Sequence, residues 1–521
     1  MTRRWMRELA GWFSAAAIAL VTAAQVASSA RADLVFRDGD SLIVALFSRS
    51  LLSGDALDWA MSSVLFLPET AGYTALDLAL PLGVNAILAV SAVLNLLALY
   101  GAIRVAAGRA GEGRAPVAWS VIALGVFGIL AMTDVSASRD ALDLASLQLT
   151  TTYYSSTVIA VVLSIGIARR MLDRGERGER GERGERDDRG ERGERGGRRT
   201  IVLPIALGLV STVATLSNPL FAVWATIPLI AVLAILAVRA TRRAPIFALL
   251  VSLLGGTALG IVLRIPFAAW IANTGVGYAQ PSLWAESLQY YGRLLTERLL
   301  HPLGALGVVM TVALLVLAIV GSRRAEDAGS RLVAVVAWSA PLIVVVGAIA
   351  LGTHAARYLQ PVAFVPLLAL VASPRVVHFS ARVRSRVMAG VAVLLLLGGA
   401  LSIPRLSDAA SKPDVDLACV TDWVDASGRT GAGQFWTVRL PKLHLADPSH
   451  LVQVDHQLNG YAWLVNRTDF AVGEVSFLVE DAQTVQWDLP VAVVPDEVVD
   501  CGRYSILDFG VQTLPLGPQR S

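Results

Sequence analysis

The sequence predicts a polytopic α-helical membrane protein carrying a C-terminal extracytoplasmic α/β domain, and three observations predict it. The chain has 521 residues, of which 55% are hydrophobic and only 16% charged, whereas a soluble domain carries roughly a quarter charged residues. Apolar runs of roughly 20 residues, each long enough to cross about 30 Å of hydrocarbon, recur from residue 9 to residue 403. From residue 404 the composition becomes that of a soluble domain, and both cysteines, Cys419 and Cys501, lie in it. Residues 1–403 are therefore expected to form the membrane domain and 404–521 the soluble one.

The chain opens with basic residues, Arg3, Arg4 and Arg7, ahead of an apolar run over 11–30. Basic residues before a span hold that end in the cytoplasm. Ala30-Arg31-Ala32 also fits the small-residue pattern at which a secretory signal peptide is cleaved. On either reading Asp33 onward emerges outside. The outer loop that follows, 33–78, contains an apolar stretch over 41–52 suited to a helix lying in the membrane interface, with Asp40 as its N-cap. Trp59, Phe66 and Tyr73 continue the interfacial character.

Further spans are expected at 78–102 and 116–132, then in a return that ends at Arg169-Arg170, and at 201–216, 220–238, 246–271, 303–320, 332–351, 359–372 and 387–401. That makes about eleven spans, with each basic cluster between them on the inner side. Residues 174–199 repeat Gly-Glu-Arg with nearly balanced charge and no apolar side chain, so a disordered cytoplasmic loop is expected there. A second outer loop, 272–302, places Leu283, Trp284, Leu288, Tyr291, Leu294, Leu295 and Leu299 at helical spacing. Past residue 404, strand-like runs at 434–440, 451–454, 461–465 and 475–479 and a helix at 416–426 suggest an α/β sandwich.

The net charge of +3 does not point to nucleic acid, because the basic residues sit in short loops beside spans, where orientation explains them. A cysteine pair confined to one segment suggests a disulfide and an oxidising compartment, the alternative being two unrelated buried thiols.

The stretch Val35-Phe36-Arg37-Asp38-Gly39-Asp40-Ser41 stands out, because two carboxylates flank a glycine just beyond the first span. Asp38 and Asp40 are candidates to deprotonate an acceptor hydroxyl, or to hold a divalent cation through carboxylate oxygens. Capping alone accounts for Asp40 but poorly for Asp38. Glu69, in the same loop, either faces the site or serves a helix start. Arg264 lies inside an apolar run, where it either snorkels to water or holds a lipid phosphate in its planar fork. His354, Arg357 and Tyr358 cluster where the ninth span ends, either to neutralise a phosphate leaving group or to anchor the interface. There is no Walker loop, dinucleotide fingerprint, HExxH or cysteine-based metal motif.

These features together, an acidic pair after the first span, amphipathic outer loops and Arg357-Tyr358-Leu359-Gln360-Pro361 opening a late span, resemble the GT-C superfamily of integral-membrane glycosyltransferases. That superfamily includes the protein mannosyltransferases and aminoarabinose transferases. Its members usually show Asp-Glu or a lone Asp where this chain has Asp-Gly-Asp, which leaves open which aspartate corresponds. The resemblance covers the layout of residues 1–403. It implies a bacterial plasma-membrane enzyme that transfers a sugar, with inversion, from a polyprenyl-phosphate donor to an extracytoplasmic acceptor. The rival class is a transporter or flippase whose outer domain binds or assembles. A transporter carries polar groups near the midplane and often shows repeat symmetry, whereas here they crowd one face.

Overall fold

The structure, a computed structural model, describes residues 2–110, 112–184, 193–239, 243–376, 380–489 and 493–520. Contacts divide the chain into two compact units. One comprises Met1–Arg31, Ala89–Ile265 and Gly277–Ala409; the other comprises Ala32–Leu88, Pro266–Val276 and Ala410–Ser521.

The first unit is helical. Among the described residues, seven helices are long and apolar enough to cross a membrane: Arg4–Ala27, Val84–Ala106, Ser155–Arg174, Ala244–Phe267, Pro302–Arg324, Ala328–Ala350 and Ser385–Ala410. The chain is a polytopic membrane protein. Shorter apolar helices occupy Pro116–Met132, Ile201–Ser217, Ala222–Val238 and Ala356–Ala372. Of the loop expected to be disordered at 174–199, residues 185–192 lie outside the described residues, and the flanking helices extend to Gly184 and from Gly193.

Small residues let these helices approach closely, the device available where lipid is as apolar as a leucine side chain. Ala15, Ala19 and Ala23 form one buried stripe at four-residue spacing, and a Cβ on Gly128 would lie 2.4 Å from Thr22 Oγ1. Gly256 and Gly260 do the same between Ala244–Phe267 and Ile201–Ser217, where added Cβ atoms would meet the Gly208 and Thr212 carbonyls at 2.5 and 2.7 Å. Thr212 Oγ1 donates to the Gly256 carbonyl across that contact at 3.1 Å.

The second unit is built on a seven-stranded mixed sheet. We label its strands β1 (Gly431–Gln434), β2 (Leu451–Val454), β3 (Asn459–Tyr461), β4 (Phe477–Glu480), β5 (Glu497–Cys501), β6 (Tyr504–Asp508) and β7 (Gly517–Arg520). Their spatial order is β7-β3-β2-β1-β4-β6-β5. Central β1 runs parallel to both neighbours, with Gly431 opposite Leu451 and Ala432 opposite Leu478. Period-two alternation gives the sheet two apolar faces. Phe477, Val479 and Ile506 meet Val420, Val424 and Val438 on one side. Leu478, Ala432, Val452 and Phe509 pack on the other.

The strand expected at 434–440 is instead the helix Phe435–His444, preceded by β1. Its apolar-polar alternation reads as a strand, but Phe435, Val438 and Lys442 are buried at helical spacing. The glycines of β1 make room for it, since a Cβ on Gly433 would lie 2.3 Å from Val438. The helix expected at 416–426 is present as Val415–Ser427, capped by Asp414 accepting from the Leu417 amide and ended by left-handed Gly428.

Cys419 and Cys501 form a disulfide, linking that helix to β5 with Cα atoms 5.6 Å apart and 82 residues of separation. Closing so long a loop removes denatured-state entropy worth about 4 kcal/mol. Cys501→Ser is therefore expected to lower the thermal unfolding midpoint of this unit. Thiol labelling of the unfolded, unreduced wild type should find neither cysteine; labelling of both would refute the bond.

The polar segment after the first span is joined to this sheet unit. Trp59–Ala60 pairs antiparallel with Val465–Asn466, and Met61 bridges Ile271. Arg467 donates to Asp58 and to the Trp59 and Ala269 carbonyls. The helix expected over 41–52 spans Ile43–Ser53, and its cap residue is Leu42, so Asp40 does not cap it.

Candidate functional site

The Asp-Gly-Asp loop follows a short helix, Ala32–Phe36. The Arg37 and Asp38 amides both donate to the Asp33 carbonyl, at 2.7 and 2.8 Å, and the Ser41 amide donates to the Asp38 carbonyl at 2.8 Å. Ser41 Oγ donates to the Leu34 carbonyl at 2.6 Å, buried. Asp38 Oδ1 lies 3.4 Å from the Ser41 amide, so the Asp38 carboxylate accepts from the turn. Arg37 pairs with Asp33 at 2.7 Å and with Asp414 at 3.3 Å. Asp38 and Asp40 are both half-buried.

Behind the loop lies Arg439, on the helix Phe435–His444 and 1% exposed. Its Nε donates to the Gly39 carbonyl at 2.6 Å, and its Nη1 to the Leu464 carbonyl at 2.5 Å and Gln453 Oε1 at 3.3 Å. Gln453 is itself fixed by donating to the Tyr461 and Trp463 carbonyls. Leu464 has φ of 53°, an uncommon left-handed setting for a γ-branched residue. Burial pulls the Arg439 guanidinium down to about 10, opposed by the charges of Asp40 and then Asp38. At Gly39 a Cβ would meet Trp436 at 3.1 Å, Phe435 at 3.3 Å and Arg439 at 3.4 Å, so a side chain there would crowd the ring pair.

Glu69 sits half-buried in the first turn of the helix Leu67–Ala79, after left-handed Phe66 and beside Pro68. That position suits the helix-dipole reading.

The other candidates belong to the helical unit. Arg357 Nε lies 3.2 Å from Tyr154 Oη, Nη1 is 4.0 Å from Asp140, and the guanidinium lies 5.9 Å from the Tyr358 ring centroid. The Tyr358 carbonyl accepts from Trp224 Nε1 at 3.1 Å, and Trp224 stacks edge-on against Tyr154. Two backbone irregularities meet here: Tyr154 has φ of 67°, and Trp224 lies in a π-helical turn, Ala222–Thr226, a feature frequent at functional sites. His354 is exposed, 5.4 Å from the Tyr290 ring in edge-on contact. Burial and the Asp140 charge both push the Tyr290 phenol up. Arg264 Nη1 donates to the Leu216 carbonyl at 2.6 Å, at the end of the helix Ile201–Ser217, where a cation satisfies a terminal carbonyl.

The structure thus puts Asp38, Asp40 and Glu69 in one compact unit and Arg264, His354, Arg357 and Tyr358 in the other. Sequence reasoning missed Arg439, Tyr154 and Trp224. The signal for Arg439 is an arginine in the otherwise apolar run Val438-Arg439-Leu440. Among the described residues no group of three or more His, Cys, Asp or Glu side chains gathers into a metal site; Asp38 and Asp40 are the carboxylates this loop offers a cation. No protein-family model matches the chain, and no curated protein matches it in sequence.

Proposed function

We propose that the chain is a membrane glycosyltransferase that moves a sugar from a polyprenyl-phosphate donor to an extracytoplasmic acceptor with inversion. The observation that carries this reading is the Asp38-Gly39-Asp40 turn, two half-buried carboxylates on a backbone fixed at both ends. One carboxylate takes the proton of the acceptor hydroxyl as that oxygen bonds to the anomeric carbon. The bond from that carbon to the phosphate oxygen breaks, and polyprenyl phosphate departs. Because the leaving group is already a phosphate, no separate acid is needed. Arg357, with Tyr358, His354 and Arg264, is assigned to the donor phosphate, where a planar fork offers paired donors as charge develops. Glu69 is assigned to substrate contact, and a divalent cation on Asp38 and Asp40 is compatible with the reading.

The topology proposed with it counts the seven long helices and the four shorter apolar ones of the helical unit as about eleven spans. The N-terminus is cytoplasmic and the C-terminal sheet extracytoplasmic, in a bacterial plasma membrane. The disulfide supports that side for the sheet. Reporter fusions at Gly190 and Gly510 are expected to report opposite compartments; a shared compartment would overturn the span count.

The function is tested with purified protein in liposomes given a polyprenyl-phosphate-linked radiolabelled sugar and a water-borne acceptor. Transfer of label supports the proposal. Movement of a labelled lipid between leaflets without any transfer would establish the transporter class instead.

A further inference from the structure

We infer that Arg439 is the positioning residue for the carboxylate loop, and that the C-terminal sheet serves the reaction by carrying it. The inference rests on the sugar-transfer reading for its kinetic consequence but not for its structural one. Arg439 lies 400 residues along the chain from Gly39, yet the two meet inside a single compact unit.

Three features separate this contact from ordinary packing. The guanidinium is buried and reaches the carbonyl between the two carboxylates at 2.6 Å, not a carboxylate itself. It therefore fixes the direction of the turn through its backbone. Its Nη1 is held by the Leu464 carbonyl and Gln453 Oε1, which set its own orientation. The Phe435 ring lies beneath it at 4.9 Å, so the cation rests on an aromatic face, a favourable place for a desolvated charge. Gly39 completes the fit, because Phe435, Trp436 and Arg439 occupy the space its side chain would take.

A group that fixes a general base by its backbone affects the chemical step more than substrate capture, since a misplacement of about 1 Å costs about 10²-fold in rate. Arg439→Met, which removes the donors and keeps the bulk, is accordingly expected to lower kcat by about 10²-fold while KM for the donor stays within a factor of about 3. Arg439→Lys retains the charge and an N–H donor group but loses the planar fork, and should recover part of that loss. Activity alone does not separate positioning from stability, so the deciding measurement is hydrogen exchange by mass spectrometry on the full-length protein in nanodiscs. In Arg439→Met, peptides covering 33–42 are expected to exchange at least about tenfold faster, while those covering β1 and β4 keep the wild-type rate.

Unchanged exchange over 33–42, or equal acceleration across the whole sheet, would overturn the inference, the latter making Arg439 a general packing residue. Should Arg439→Met fail to fold, Gly39→Ala and Arg439→Lys read the same local exchange with a smaller perturbation. If the wild type transfers no sugar, the functional proposal fails, and the exchange result still decides whether Arg439 holds the loop.

Discussion

Asp38→Asn and Asp40→Asn, made singly and together, are expected to abolish sugar transfer at one of the two positions while leaving the protein folded. Asparagine keeps the shape and the hydrogen-bonding capacity of aspartate and removes the proton acceptor. General-base catalysis contributes about 10²–10⁴-fold, so the variant lacking the base should fall by that order in kcat. The two positions have distinguishable backgrounds. Asp38 accepts from the Ser41 amide, and an asparagine oxygen accepts there as well, so its substitution tests charge more than geometry. The N-cap position of the helix Ile43–Ser53 is Leu42 rather than Asp40, so the unfolding curve of the Asp40 variant separates a loss of the base from a helix effect. Turnover measured beside an unfolding curve for each variant checks this. Full transfer by both single variants and the double would put the base elsewhere.

Arg298→Ala is expected to cost about 3–5 kcal/mol of stability, the usual consequence of leaving buried carboxylates without their cation. Arg298 pairs with Asp134 at 2.9 Å and also with Asp143, both carboxylates being almost wholly buried. Arg31 closes the same network, 1% exposed, by donating to Ser146 and to the Ser136, Ser138 and Asp143 carbonyls. Burial pushes the Asp134 carboxyl up, with Arg298 the strongest opposing influence. An acid whose folded pKa is raised contributes stability below its unfolded pKa and loses it as pH rises through the folded one. Removing Arg298 enlarges that rise, so the deficit of the variant should be largest near pH 8 and shrink toward pH 5. Thermal unfolding in nanodiscs at both pH values measures it. A variant within about 1 kcal/mol of wild type at pH 8, below the smallest cost expected for an orphaned buried charge, would show the network to be inert.

The helices were legible because a bilayer demands length and apolarity together, and few residues inside a span can violate the demand. The helix Trp284–Leu300 was legible for a related reason: Trp284, Leu288, Leu295 and Leu299 recur on one face. The grouping of the first polar segment with the C-terminal sheet was not legible. Its pairing strands, Trp59–Ala60 and Val465–Asn466, are two residues long, too short for any periodicity to show. The run Phe435-Trp436-Thr437-Val438-Arg439-Leu440 misled because alternation over six residues fits a strand, while the helix is decided by what β1 packs against. At the candidate site the acidic residues announce themselves by being charged beside a span. Arg439 does not, because its role depends on a partner 400 residues distant.

The pairing of Trp59–Ala60 with Val465–Asn466 also sets an order on the making of the protein. Translation delivers about 5–20 residues per second, so the early segment emerges roughly 20–80 s before its partner strand exists. For that interval Trp59 and its neighbours have an open strand edge with no sheet to join, the kind of edge that pairs with other chains. Flanking charges such as Asp55 and Asp58 are of the kind that discourages such mispairing. The later segment therefore brings the earlier one into its finished form.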